Sequence, residues 1–324
     1  MTYAPSVTIA IVNYNTRDAL RECLKSIERV CADEICPVIV VDNASVDGSP
    51  AMLKQEFPDV QVIQNSENIG FARAINAAFE SVNTDYFMLL NPDTWVAESA
   101  LIHLLKVAES NPKIAVVGAQ LTSFEGELQP SVLSPPTLTK EFLNLLPELK
   151  SLLLPSSLKR RLHRNRLRLQ GDIIVVPAVS GGAMLVRTSA FRSVNGFDPH
   201  FFVYHEEVDL CLRLRQAGWE IAFAPLAQVL HHDALATGYK SENLPSEPVL
   251  TWRLSGIARL FEKHASPSQH KRFIRMAQIL LRSRARLARM RSLISQSSSA
   301  KWREHANELE IAADTLSKPK PNPS

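Results

Sequence analysis

Apolar runs separated by polar loops recur through the first third of the chain, and run length separates the strands from the helices. Residues 6–12 read as a strand. Asn13, Tyr14, Asn15 and Thr16 then form a polar loop feeding a helix with Leu20, Leu24 and Ile27 on one face. The next buried strand, 38–41, ends at Asp42, and DNASVDGSP combines Asx-turn residues with Gly48 before a short helix leading to Phe57. A strand over 60–63 follows, then the loop NSENIG opening into an Ala-rich helix, then the apolar run YFMLL entering Asn91, Pro92 and Asp93. Four strands separated by three helices predict an α/β fold with a doubly wound, mostly parallel sheet. The loops at Asn13, Asp42, Asn68 and Asp93 would gather along one edge, where such sheets bind ligands. A helix over 97–109 and a strand over 114–120 continue the alternation.

The pattern breaks at SPP, residues 134–136. From 139 to 170 leucines mix with Lys159, Arg160, Arg161, Arg164, Arg166 and Arg168, which reads as an insertion (about 134–170) of basic amphipathic helices. IIVVPAVSGGAMLVR places two apolar runs around Ser180, Gly181 and Gly182; paired glycines serve close approach to a ligand or a plain turn. Residues 206–217 read as a helix, with Asp209 and Arg213 paired at i,i+4 and Gly218 as its stop. Its first turn carries Glu206, Glu207 and Asp209, which suits the helix macrodipole. The apolar Phe201, Phe202, Val203 and Tyr204 just before it also set these acids by a partly dry cleft, where a carboxylate makes a general base. The following strand ends at His231 and His232, of which only one can face the cleft. Asp93, at its strand end behind the rigid Pro92, suits a divalent cation carrying a diphosphate, or the cap of a helix starting near Thr94.

Beyond 236 the pattern is helical alone. The segment 269–295 carries Lys271, Arg272, Arg275, Arg282, Arg284, Arg286, Arg289 and Arg291 with no acid, interleaved with apolar residues at helical spacing. The expected organisation is a domain over 1–235, a helical basic region over 236–316 and a disordered tail over 317–324. A net charge of +3 is small, but its clustering fits an anionic membrane surface or a solvated helix face. For the membrane reading, Arg282, Arg284, Arg286 and Arg289 are the charges expected to matter most. No nucleic-acid motif accompanies them, so no nucleic-acid partner is expected. Four scattered cysteines give no disulfide framework, and nothing reads as a signal peptide or membrane span. The expected location is cytoplasmic, peripheral at the inner face of the membrane.

Together TIAIVNYN, VIVVDNASVDGS, NSENIGFARAIN, LLNPD, VSGGAMLVR, GFDPHFFVYHEEVDLCLRLRQAGW and the closing HH resemble, in order and spacing, the inverting glycosyltransferases of family 2, especially bacterial rhamnosyltransferase-like members. The resemblance implies a GT-A fold over about residues 6–232. It casts Asp42 as the acid that hydrogen-bonds a pyrimidine base, with Asn13 and Tyr14 beside it. Asn68, Gly70 and Phe71 become the loop along ribose and diphosphate. Asn91 and Asp93 fall on the family's Asp-any-Asp metal motif, with Asn replacing the first acid. Asp93 and His231, or His232 one residue on, would then hold Mg²⁺ or Mn²⁺. Glu207 fills the general-base position usually held by Asp, while Gly181, Gly182, Glu206 and Asp209 lie on the acceptor or sugar side. The implied reaction moves a sugar from a nucleotide-sugar donor, dTDP-rhamnose or a UDP-sugar, to a hydroxyl of a cell-envelope or polyprenyl-linked glycan. A catalytically weak nucleotide-sugar-binding scaffold at the membrane is the alternative that Asn91 and Glu207 leave open. An oxidoreductase would need a Gly-rich loop after the first strand, where VNYNT stands instead.

Overall fold

The computed structural model describes residues 5–31, 36–146, 168–170, 173–232, 248–294 and 299–316. Strand β1 (Val7–Asn13) is buried at every position, as a strand covered on both faces must be. β2 (Val38–Asp42) and β4 (Tyr86–Leu90) flank it in parallel, with Asn13 opposite Asp42 and Ile11 opposite Leu90. The carboxyl ends of these three strands therefore lie side by side. β3 (Gln61–Gln64) closes that edge beyond β2. Helices α1 (Arg17–Val30), α2 (Ser49–Glu56), α3 (Phe71–Phe79) and α4 (Ala100–Glu109) connect and cover these strands. α1 buries Leu20, Cys23, Leu24 and Ile27, the i,i+3/i+4 stripe that its sequence shows.

On the other side of β4 the order is β11 (Ala183–Arg187), β6 (Ile114–Thr122), β12 (Glu220–His231), β9 (Ile173–Val175) and β8 (Arg168–Gln170). β11 runs antiparallel to both β4 and β6, so the sheet is mixed at its centre. Periodicity reports burial and not strand direction, which is why the sequence does not show this. β12 is parallel to β6, with a register shift between Ala224 and Gln228. Pro225, in that gap, has no N–H to give the ladder. A two-stranded ribbon, β7 (Val132–Leu133) with β10 (Ala178–Val179), stands apart from this sheet.

Two expectations are corrected. No helix starts near Thr94: β5 (Thr94–Val96) pairs antiparallel with Val229–His231 of β12, and α4 begins only at Ala100. The far end of β12 offers these residues a ladder that no local pattern reveals. Arg168 belongs to β8, which forms a hairpin with β9 against β12, and not to an amphipathic helix. The preceding basic run Lys159–Arg166 and the tail 317–324 lie outside the described residues.

One compact unit takes in the sheet and comprises the described parts of Met1–Ser134, Arg166–Phe202 and Glu206–Gly238. It includes α6 (Thr188–Ser193) and α7 (Glu206–Gln216). A second unit comprises the described parts of Pro135–Asn165, Val203–His205 and Tyr239–Ser324. Its helices are α5 (Leu138–Leu145), α8 (Val249–His264), α9 (Pro267–Ile294) and α10 (Ser299–Thr315). Leu145, Leu254, Phe261, Phe273, Leu281 and Leu309 are in its core, with the Phe261 and Phe273 rings stacked 4.9 Å apart. Ala277, Ala285 and Ala288 of α9 and Ala306, Ala312 and Ala313 of α10 are buried there too, small enough for close helix packing. Tyr204 and His205, both left-handed at φ 72° and 73°, lie against Gly256 of α8. A Cβ at 256 would stand 2.8 Å from the Tyr204 carbonyl oxygen, so only glycine fits there.

Candidate active site

The ends of β1 and β2 are locked to each other. Asn13 Nδ2 donates to Asp42 Oδ1 (2.7 Å) and Ser45 Oγ (3.0 Å), while Asp42 Oδ2 accepts from the Ser45 amide (2.9 Å). Asp42 is fully buried, so its carboxylate braces the loop after β2. Asn15, at φ 54°, accepts from the Val46 amide, a turn for which Asn is well suited. Tyr14 is exposed beside it. Asn43 then joins this loop to the next, donating to Asn68 Oδ1 (3.2 Å) and accepting from Asn65 Nδ2 (2.8 Å). Asn68 Oδ1 also accepts from the Gly70 amide (3.0 Å), and the Phe71 amide donates to the Phe202 carbonyl (2.6 Å). The Gly70 and Phe71 amides are thus already used within the protein. Asn43 is a linking residue that the sequence reading passed over as one more turn residue.

Asn91, Asp93 and His231 come together where β4 gives way to β5 beside the end of β12. His231 Nε2 lies 3.2 Å from Asn91 Nδ2 and 3.4 Å from Asp93 Oδ1. His232 does not join them: its ring stacks on Phe124 at 3.9 Å and lines the cleft beside Asp93. Gln129 sets the imidazole. Its Nε2 donates to the His231 carbonyl (2.9 Å), which fixes the amide orientation and leaves Oε1 to accept from His231 Nδ1–H (2.8 Å). Nε2 is thereby the ring nitrogen turned toward Asn91 and Asp93. The sequence carried no signal for Gln129, because its role exists only through contact across 102 residues. Beneath this group Cys23 is buried 3.4 Å from Thr94 Oγ1, and burial pushes its thiol up to about 12, so it packs as an apolar residue. A cleft of ≈ 330 Å³ lined by Asp18, Glu22, Asp93, Trp95, Phe124 and His232 opens beside Asp93. Among the described residues no group of three or more His, Cys, Asp and Glu is placed to hold a metal ion.

The Gly181–Gly182 turn connects this group to the acids of α7. The Asn91 amide donates to the Gly182 carbonyl (3.0 Å). A Cβ at 182 would lie 3.7 Å from Asn91 Nδ2, and one at 181 would lie 3.6 Å from Glu207 Cβ. The three acids of α7 have different surroundings. Asp209 is fully buried and accepts from Arg213 Nε (2.7 Å), whose other nitrogens donate to the Val194 and Gly196 carbonyls (2.7 Å each). Its carboxylate braces that turn inside the protein. Glu206 is buried, its Oε2 has no hydrogen-bond partner among the described residues, and burial, then Glu207, raises its pKa well above the ordinary value. Glu207 alone of the three is partly exposed.

A carboxyl whose folded pKa is raised penalises folding once the pH exceeds its unfolded pKa, and not below it. Glu206→Gln should therefore raise the melting temperature at about pH 8, with the gain vanishing below about pH 4. Thermal melts of both proteins across that range test this; a gain independent of pH would show that Glu206 is not held neutral.

The family model for Glycosyl transferase family 2 matches residues 8–194. The chain is 29% identical over 241 residues to the N-acetylglucosaminyl-diphospho-decaprenol L-rhamnosyltransferase of Mycobacterium tuberculosis, covering 71% of this chain and 77% of that one. It is 27% identical over 240 residues to rhamnosyltransferase WbbL of Escherichia coli, covering 70% and 83%. Among solved structures it is similar to mannosyltransferase PcManGT from Pyrobaculum calidifontis, in complex with GDP-Man and Mn²⁺. The TM-score is 0.57 at 17% identity, over 99% of this chain and 89% of that one. At that identity the likeness concerns the fold, which is GT-A.

Proposed function

The chain belongs to glycosyl transferase family 2 and is a rhamnosyltransferase-like hexosyltransferase, and from that premise we propose a metal-assisted, inverting transfer with Glu207 as general base. The observation that supports this reading is the Gly181–Gly182 turn: the Gly182 carbonyl accepts from the Asn91 amide, and a Cβ at 181 would lie 3.6 Å from Glu207 Cβ. On this reading a base and a leaving-group site would stand on either side of that turn. Glu207 takes the proton of the acceptor hydroxyl as its oxygen attacks the anomeric carbon. Glu206 is buried, and both that burial and the neighbouring Glu207 disfavour a second charge there.

Asp93 and His231 would hold the cation, Mg²⁺ or Mn²⁺. One carboxylate and one imidazole are too few for an all-protein cage, and they fit an ion that completes its shell with diphosphate oxygens and water. Bound there, the cation would offset charge on the departing nucleoside diphosphate. Gln129 holds His231 Nε2 toward Asp93, and Asn91 orients the same ring without adding charge. Tyr14 offers the nucleotide base a surface, with Asp42 holding the loop beneath it. The Asn68–Gly70–Phe71 turn borders the ribose and diphosphate.

dTDP-rhamnose is our first choice of donor, a UDP-sugar the second, because both quoted relatives are named rhamnosyltransferases. A lipid-linked envelope glycan is the acceptor we favour, since one relative's name includes diphospho-decaprenol. Peripheral access to such an acceptor, at the inner face, is the location we favour; no described helix is long and apolar enough to cross a membrane.

The experiment is release of nucleoside diphosphate from each donor, with and without acceptor and EDTA. The parent should be inhibited by chelator, and Asp93→Ala should lose metal-dependent turnover. Gln129→Ala should weaken Mn²⁺ binding, read by calorimetry, about tenfold to a hundredfold, as loss of an orienting partner of a metal-bound histidine does. Full activity of Asp93→Ala in EDTA would remove the cation from the reaction. Donor binding without any turnover would reduce the protein to a scaffold.

A further inference from the structure

The basic helix α9 has two faces. One is buried in the helical unit through Phe273, Ala277, Leu281, Ala285 and Ala288. Arg272, Arg275, Ile279, Arg286, Met290 and Leu293 follow one another at i, i+3, i+7, i+14, i+18 and i+21, which places them together on another face. All six are exposed, Ile279 at 58%, Met290 at 60% and Leu293 at 80%. Leu287 and Ile294 flank them and are exposed as well. The arginines divide in the same way. Arg282 pairs with Asp314 and Arg289 with Glu310, while Arg284 donates to the Leu145 carbonyl. Three of the four arginines that the sequence singled out are therefore engaged inside their own unit. Arg272, Arg275 and Arg286 have no ion-pair partner among the described residues.

An ordinary solvated face mixes both charge signs and seldom presents large apolar tips in a row. This helix has no Asp or Glu anywhere in its 28 residues. A second copy of the same face would meet it with like charge, and a nucleic-acid backbone has no use for exposed Ile, Met and Leu. We propose that this face of α9 docks on an anionic lipid bilayer. The apolar tips enter the headgroup boundary, and the guanidinium groups pair with lipid phosphates while their stems lie along the apolar surface. The surface is independent of the transferase reading, since no residue of it belongs to the candidate active site.

The test is sedimentation of the full chain with vesicles of phosphatidylglycerol mixed with phosphatidylcholine, or of phosphatidylcholine alone, read together with binding of the nucleotide-sugar. The parent should bind the anionic vesicles only, and less as salt rises. The variant R272Q/R275Q/R286Q should bind them about a hundredfold more weakly, and M290S/L293S/I294S should also be weakened, both with unchanged nucleotide-sugar binding. Equal binding of parent and arginine variant to anionic vesicles would overturn the proposal, as would equal binding of the parent to both vesicle types. So would a dimer in sedimentation velocity that the serine variant abolishes, because the face would then be a contact between copies. Failure of transfer activity with vesicle binding intact would count against the proposed function and leave this surface standing.

Discussion

Glu207→Gln should bind the nucleotide-sugar donor as the parent does and turn over roughly a hundredfold more slowly or worse, the usual weight of general-base catalysis. The substitution keeps the shape of the side chain and removes only its capacity to take a proton. The neighbouring acids cannot substitute for it. Asp209 is buried against Arg213, and a carboxylate engaged by a guanidinium is a poor proton acceptor. Glu206 is closed to solvent, and burial raises its pKa well above the ordinary value. Glu206→Gln should accordingly keep most of the turnover, and Glu207→Asp, one methylene shorter, should keep a substantial part. Steady-state rates with donor affinity measured separately decide the matter. Normal turnover in Glu207→Gln beside a dead Glu206→Gln would assign the base to the wrong acid.

Gly70→Ala should destabilise the protein by about 2–4 kcal/mol, combining a strained backbone with a lost hydrogen bond. Gly70 stands at φ 83°, ψ 168°, a conformation open in practice to glycine alone. A Cβ there would lie 2.5 Å from the Phe202 carbonyl oxygen and 2.7 Å from its ring. That carbonyl accepts from the Phe71 amide at 2.6 Å, so displacing it removes the bond that ties the Asn68 turn to the stretch before α7. A fall in melting temperature of about 3–6 °C is expected at this chain length, with weaker donor binding because the turn shifts. An unchanged melting temperature would mean that the two segments are not held together in solution. Asn68→Ala, which removes the acceptor of the Gly70 amide and of Asn43 Nδ2 but strains no backbone, should do less harm.

Much of this protein is decided within short windows of its sequence. Buried runs such as VTIAIVN and YFMLL, and the i,i+3/i+4 stripe of α1, set strands and helices locally, because each must hide its own apolar surface. The order and spacing of the segments from TIAIVNYN through LLNPD and VSGGAMLVR to the closing HH pointed to the family, which the family model matches over residues 8–194. Even the Asp209–Arg213 pair was legible, being a contact of four residues along one helix.

Only the tertiary structure decided the rest. The antiparallel insertion of β11 and the pairing of β5 with β12 depend on which strand edges are free, and nothing local encodes that. Glu206 and Glu207 are chemically identical in sequence and differ only in what is packed around each. Gln129 gained its role by meeting His231, and the arginines of α9 were sorted into paired and unpaired by acids far along the chain. Periodicity reports how much surface a segment must bury, while burial of a charge, tautomer and ion pairing are set by neighbours that only folding brings within a few ångströms.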